Sequence, residues 1–240
     1  MNFENSMKRF LPILNILVLA GAWQTVSAAE ISGKVKLKGD PKPEVPIPLE
    51  GTTCGPLVHT PLTTRHYVVG PDKSLANVFV YIKQGASPTP PAAGSKPVLD
   101  QTDCQYQPYV LGVVANQPLI IRNSDPIMHN VHATPKVNKE FNFAQVTKGQ
   151  ENPKTFDKSE VLVRMKCDVH PWMFAYVGVL EHPYFSVTDK EGSFKISNLP
   201  AGKYTIEAYH LKAGAKQQEI TVTADDKKTV DFELAVPAAP

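Results

Sequence analysis

Three residues with soft or borderline donor atoms fall within seven positions, Cys167, His170 and Met173, at Cys-x-x-His-x-x-Met spacing behind an alternating, strand-like run. A thiolate and a thioether favour Cu(I) and imidazole serves both copper oxidation states, so a Cys, two His and a weak Met suit one-electron cycling. The motif supplies one imidazole. The other must come from elsewhere, and the stretch Ile121-Arg122-Asn123-Ser124-Asp125-Pro126-Ile127-Met128-His129-Asn130-Val131-His132 offers two where an apolar run meets a turn. Zinc competes for a His2Cys set. A distant thioether has little use at zinc, whereas at copper it tunes the potential.

Bringing donors together from two distant stretches takes a rigid scaffold, and the chain spells one in short alternating segments: Ile31-x-x-x-Val35-x-Leu37, Val78-x-Val80-x-Ile82, Leu119-x-Ile121 and Val161-x-Val163-x-Met165. Proline is frequent, 22 of 240 residues, and no long 3.6-residue apolar pattern follows the first 28 positions. Such runs, separated by Gly, Pro, Asn and Asp clusters, predict an all-β sandwich or barrel. Residues 85 to 97, rich in Pro, Gly, Ala and Ser, read as an exposed insertion within one extended domain. On this reading strands between Ile31 and Ile82 help to complete the copper-site sandwich, and Tyr176 to Leu180 closes it.

Over residues 118 to 180 the sequence resembles the cupredoxins, and within them the amicyanin-like members, which carry their first copper His in a Pro-His-Asn-Val-His stretch and three further ligands on one short loop. The resemblance implies a Greek-key sandwich holding one mononuclear copper. Carried over by motif position, His129, Cys167, His170 and Met173 are the ligands, Asn130 braces the ligand loop, and His132 is not a ligand. Met128 stands where a Pro often precedes the first His, and Arg164, Met165 and Lys166 replace an aromatic and His run before Cys167. These departures bear on potential and partner, which depend on the surroundings of the ligands.

After Glu181-His182-Pro183 the character of the chain changes. Asp189-Lys190-Glu191-Gly192-Ser193-Phe194 followed by Leu199-Pro200-Ala201-Gly202-Lys203-Tyr204 is similar to the signature of the carboxypeptidase regulatory-like, or transthyretin-like, β-sandwich. The expected organisation is therefore a signal peptide at 1–28, a cupredoxin-like copper domain at 29–182, a small transthyretin-like sandwich at 183–235, and a tail at 236–240.

The signal peptide is read from basic Lys8 and Arg9, the apolar run Phe10 to Ala22, and the small-residue site Val26-Ser27-Ala28, with cleavage after Ala28 and export to the periplasm. The apolar run is shorter than the roughly 20 residues of a spanning helix, so no membrane insertion is expected once it is removed. Removing it, with Lys8, Arg9 and Glu4, takes the formal charge from +2 to +1. So balanced a chain lacks the basic surface that nucleic-acid binding draws on.

Three cysteines in an exported chain leave one unpaired. Cys167 keeps a ligand's company, so Cys54 and Cys104 are expected to form a disulfide. A second metal site joining one of them to His59 or His66 stays open as the alternative. No Ser-His-Asp order, P-loop or His-Glu-x-x-His motif supports enzymatic chemistry. The expected role is a single-electron carrier that docks a redox partner protein through an apolar face around Trp172 and an exposed edge of His170, with Pro171, Phe174, Ile127 and Met128 nearby. The alternatives of other classes are a copper-delivery protein and a partner-binding scaffold with structural copper.

Overall fold

The computed structural model describes residues 28–238. The expected signal peptide lies outside them apart from Ala28. The described chain is built of strands and two short 3₁₀ turns. In order the strands are β1 (Ala29–Lys38), β2 (Phe79–Gln84), β3 (Val98–Thr102), β4 (Gln105–Gln107), β5 (Val110–Val114), β6 (Leu119–Asn123), β7 (His129–Thr134), β8 (Phe141–Gln145) and β9 (Glu151–Lys154). They continue with β10 (Glu160–Lys166), β11 (Phe174–Leu180), β12 (Phe185–Val187), β13 (Ser193–Leu199), β14 (Gly202–His210), β15 (Gly214–Val222), β16 (Lys227–Thr229) and β17 (Phe232–Ala235). The all-β class read from the alternating runs is what the chain adopts.

Two sheets enclose the ligand candidates. One has the order β5-β11-β10-β7-β8 and the other β4-β3-β6-β9, and both feed a core that contains Leu99, Ile121, Val131, Met165 and Val177. Side chains of a strand alternate between its faces, and β7 does so strictly: His129, Val131 and Ala133 point inward, while Asn130, His132 and Thr134 are less buried. On β10 Val163 and Met165 point inward, after a register shift between Glu160 and Val163 where Leu162 takes φ 59°. Cys167 continues the same inward phase beyond the strand end, and is 2% exposed.

The second pair of sheets has the orders β12-β2-β14-β15 and β13-β1-β16, with β17 also paired to β1. Its core gathers Ile31, Val35, Val80, Ile82, Ile196 and Ile206. Here the structure departs from the sequence reading. Ile31 pairs with Ile196, Val35 with Phe232, and Val80 with Ala208, so β1 and β2 belong to the C-terminal sheets and do not complete the sandwich around the ligand candidates. The strands from residue 98 to 180 suffice for that sandwich. Pattern alone could not reveal this, because an alternating strand fits any half-buried sheet face.

The two sandwiches meet on aromatic rings. Gly112 and Gly178 lie side by side on β5 and β11. A Cβ at Gly112 would come 2.3 Å from the ring of Phe185, and one at Gly178 would come 2.4 Å from the ring of Phe79. Only a glycine leaves room for these rings, which also lie 5.6 Å apart.

His210, at the end of β14, is 3% exposed and packs 5.3 Å from the ring of Tyr67. Its Nδ1 accepts the backbone N–H groups of Lys212 and Ala213 at 3.3 and 3.1 Å. Burial, outweighing the attraction of Glu44, pushes this imidazole down to about 4 from its ordinary 6.5. The unfolded chain then takes up a proton that the folded chain refuses. Stability from this group is complete above about pH 6.5 and is lost as pH falls towards 4, by roughly 3 kcal/mol. In His210→Asn, which retains an acceptor, urea unfolding is expected to lose less stability between pH 7 and 4.5 than in the parent. Equal losses in both proteins would remove His210 as the source.

Candidate metal centre

The loop from Cys167 to Met173 joins β10 to β11, and backbone hydrogen bonds close it at both ends. The Cys167 N–H donates to the Met173 carbonyl at 3.1 Å, and the Met173 N–H donates to the His170 carbonyl at 2.9 Å. Met173 is fully buried and His170 is 4% exposed. Three candidate ligands converge: the Nδ1 atoms of His129 and His170 face each other at 3.0 Å, and the Cys167 sulfur lies 3.6 Å from His170 Nδ1. All three donor atoms fall within 4.8 Å of one another.

This donor set fits a metal. Two nitrogens bound at about 2.0–2.1 Å to one ion lie roughly 3 to 3.5 Å apart, which is the separation found. A buried thiol beside two imidazoles is a soft, mixed set of the kind copper takes. Burial pushes the Cys167 thiol up, but hydrogen bonds with His129 and His170 and from the Asn130 N–H outweigh it and bring it to about 6. The Asn130 N–H reaches the sulfur at 3.3 Å. The thiolate is therefore available near neutral pH.

Asn130 ties three elements together. Its Oδ1 accepts the Asp168 N–H at 3.1 Å, and its Nδ2 donates to Asn142 Oδ1 at 2.6 Å and to the Phe143 carbonyl at 3.3 Å. Below it, the Tyr106 hydroxyl donates to the Asn130 and Lys166 carbonyls at 2.8 and 3.3 Å, linking β7 to the approach of Cys167.

Asp125 is the residue that sequence reasoning missed. Its Oδ2 meets His129 Nε2 at 2.8 Å, the ring nitrogen opposite the one that faces His170. Burial disfavours the charged imidazole, yet the Asp125 carboxylate prevails and raises the His129 pKa. A carboxylate on the outer nitrogen of a metal-binding His fixes its tautomer and orientation. No local pattern marks it, because an Asp in an Asn-Ser-Asp-Pro turn reads as an ordinary turn residue.

His132 stands apart, on the other face of β7. Its two ring nitrogens meet Asp168 Oδ2 at 2.7 Å and Glu140 Oε1 at 2.6 Å. His59 and His66 join no potential metal-binding group among the described residues, and Cys54 is bonded to Cys104. The expected disulfide is present, and Cys167 is the free thiol. Cys104, Asp125 and His129 also cluster, but the Cys104 sulfur is spent in the disulfide.

The anticipated exposed edge of His170 is not found, since that side chain is buried. Trp172 is partly buried with its ring 5.4 Å from that of His170, and the exposed apolar residues of the neighbouring loops are Met128, Val146 and Val169. No helix among the described residues is long and apolar enough to cross a membrane.

Residues 171–235 match the family model of the carboxypeptidase regulatory-like domain. No curated protein matches the chain. Among solved structures, a Cu(I) amicyanin variant is similar at 24% identity over 42% of this chain and 97% of its own, with a TM-score of 0.32. The purple cupredoxin of Nitrosopumilus maritimus is similar at 19% identity over 35% of this chain and 98% of its own, with a TM-score of 0.30. The copper-containing nitrite reductase of Thermus scotoductus SA-01 is similar at 19% identity over 39% of this chain, with a TM-score of 0.32. The chain spans only 26% of that reductase.

Proposed function

We propose that this chain is an exported mononuclear copper protein that passes single electrons between redox partners. The observation that carries the reading is the convergence of one buried thiol and two buried imidazoles, with the Cys167 sulfur 3.6 Å from His170 Nδ1 and the two histidine nitrogens 3.0 Å apart. Copper, when bound, supplies a one-electron Cu(II)/Cu(I) couple. His129, Cys167 and His170 would hold it, and buried Met173 would be the weak fourth ligand. Asp125 and Asn130 fix the imidazole and the thiolate, so that little rearranges between oxidation states. The expected partner is a redox protein docking on the apolar surface of Met128, Val169 and Trp172.

The same reading treats the carboxypeptidase regulatory-like sandwich as discontinuous, made of residues 183–235 with β1 and β2, and the copper domain as the strands from 98 to 180. A protein loaded with one equivalent of Cu(II) is expected to show an intense blue thiolate-to-copper band and an EPR spectrum of one copper environment. Potentiometric titration should bleach and restore that band reversibly with a one-electron slope. A colourless complex, or copper lost on each reduction, would overturn the electron-carrier reading.

A further inference from the structure

The connection between β3 and β4 is a turn in which Asp103 and Cys104 both take left-handed backbone conformations, at φ 51° and 52°. Neither is glycine, and such conformations persist only where the surroundings hold them. Three attachments do so here. The N–H groups of Asp103 and Cys104 donate to the two carboxylate oxygens of Asp125, at 2.9 Å each, and the Cys104 sulfur is bonded to Cys54.

The same turn reaches the outer side of both candidate histidines. The Asp125 oxygen that accepts the Cys104 N–H also meets His129 Nε2. On its other side, the Cys104 carbonyl accepts the Trp172 indole N–H at 3.1 Å, and the Trp172 ring packs against His170. One residue's backbone therefore connects to two imidazoles that arrive from different elements.

Cys54 comes from an unusual place. It lies in the long connection between β1 and β2, both strands of the C-terminal sandwich, yet it is buried in the same core as Cys167 and Met173, against which Leu49, Leu57 and Val58 of the same connection also pack. Further along this strap, the Arg65 guanidinium donates to the Phe174 carbonyl at 3.3 Å, next to Met173. The disulfide is the covalent point at which the strap grips the metal-site sandwich.

We infer that the Cys54–Cys104 disulfide is a positioning element of the metal centre, holding the Asp103–Cys104 turn so that Asp125 and Trp172 fix His129 and His170. This rests on the copper reading above. A disulfide that only stabilised the chain would move the melting temperature and leave the ligand geometry alone. A positioning disulfide moves the properties of the metal as well.

The test uses the full exported chain, copper as the probe, and four proteins: wild type, Cys54→Ala/Cys104→Ala, Trp172→Phe, and the triple variant. Cu(I) affinity is measured by competition with a chromogenic chelator, and the Cu(II) hyperfine splitting by EPR. Removing the disulfide is expected to weaken copper binding about tenfold or more, as outer-shell losses do, and to shift or broaden the hyperfine pattern. Trp172→Phe, which keeps the disulfide and loses the indole N–H, should shift the pattern in the same direction. The triple variant should be weaker than the double by less than the effect of Trp172→Phe alone, because both changes act through Cys104.

A double variant that melts lower but binds copper within twofold of wild type with an unchanged EPR spectrum overturns the proposal. If the double variant does not fold, Trp172→Phe and Asp125→Asn carry the test with the disulfide intact, and wild-type affinity and spectrum in both overturn it. Failure of the copper reading shows separately, as a wild-type protein without a blue band.

Discussion

Replacing Cys167 with serine is expected to abolish the blue absorption of the copper-loaded protein altogether. That band is charge transfer from a thiolate, and an alcohol oxygen neither ionises at neutral pH nor offers a comparable donor orbital. The Cys167 thiol, pushed up by burial but brought to about 6 by hydrogen bonds with the two histidines and from the Asn130 N–H, ionises more readily than an ordinary thiol. Serine is smaller and leaves the inward phase of the β10 end unchanged, so the fold is expected to survive. Circular dichroism of the copper-free variant checks the fold, and optical titration with Cu(II) checks the site. A blue band that persisted in Cys167→Ser would transfer the chromophore to some other group and overturn the assignment.

The candidate donor loop was legible because its chemistry is local. Cys167, His170 and Met173 are close in sequence, and a loop closed by two backbone hydrogen bonds keeps them close in space. The fold class was legible from alternation, and the disulfide from the odd cysteine count together with the ligand-like neighbours of Cys167. The destination of β1 and β2 was not, since Ile31, Val35 and Val80 satisfy an apolar face in either sandwich, and the choice is made by long-range pairing.

Asp125 escaped notice for a related reason. A carboxylate in an Asn-Ser-Asp-Pro turn is usually a solvated or turn-capping residue, and nothing local marks one that is 5% exposed and holding an imidazole. The burial of His170 was likewise hidden. Its ring packs against Trp172 of its own loop, which is held in place from the distant Cys104 carbonyl, and against His129 of β7.

His129→Ala should cost far more copper affinity than His132→Ala, although the two residues are three positions apart on one strand. Strand alternation puts them on opposite faces, so His129 is fully buried with its Nδ1 3.0 Å from His170 Nδ1. His132 instead spends both nitrogens on Asp168 and Glu140, at the rim. On the copper reading, losing His129 removes a ligand, and the loss should exceed the ~10- to 100-fold typical of outer-shell partners. Losing the His132 side chain should change affinity by less than the ~10-fold lower end of that range, since it meets Asp168 and Glu140 and not the three donor atoms.

His129→Ala strands the Asp125 carboxylate in a buried place, and breaking a buried charge pair is destabilising by about 3–5 kcal/mol. The Asp103 and Cys104 N–H groups still hold that carboxylate and soften the loss. A variant that is merely unstable is recognised by its copper-free melting temperature, so affinity is compared only at temperatures where both copper-free variants are folded. Under that condition, equal affinities for the two variants would mean that His129 is not a ligand, and the convergence of its Nδ1 with Cys167 and His170 would have to be read as a hydrogen-bonded core cluster without a metal.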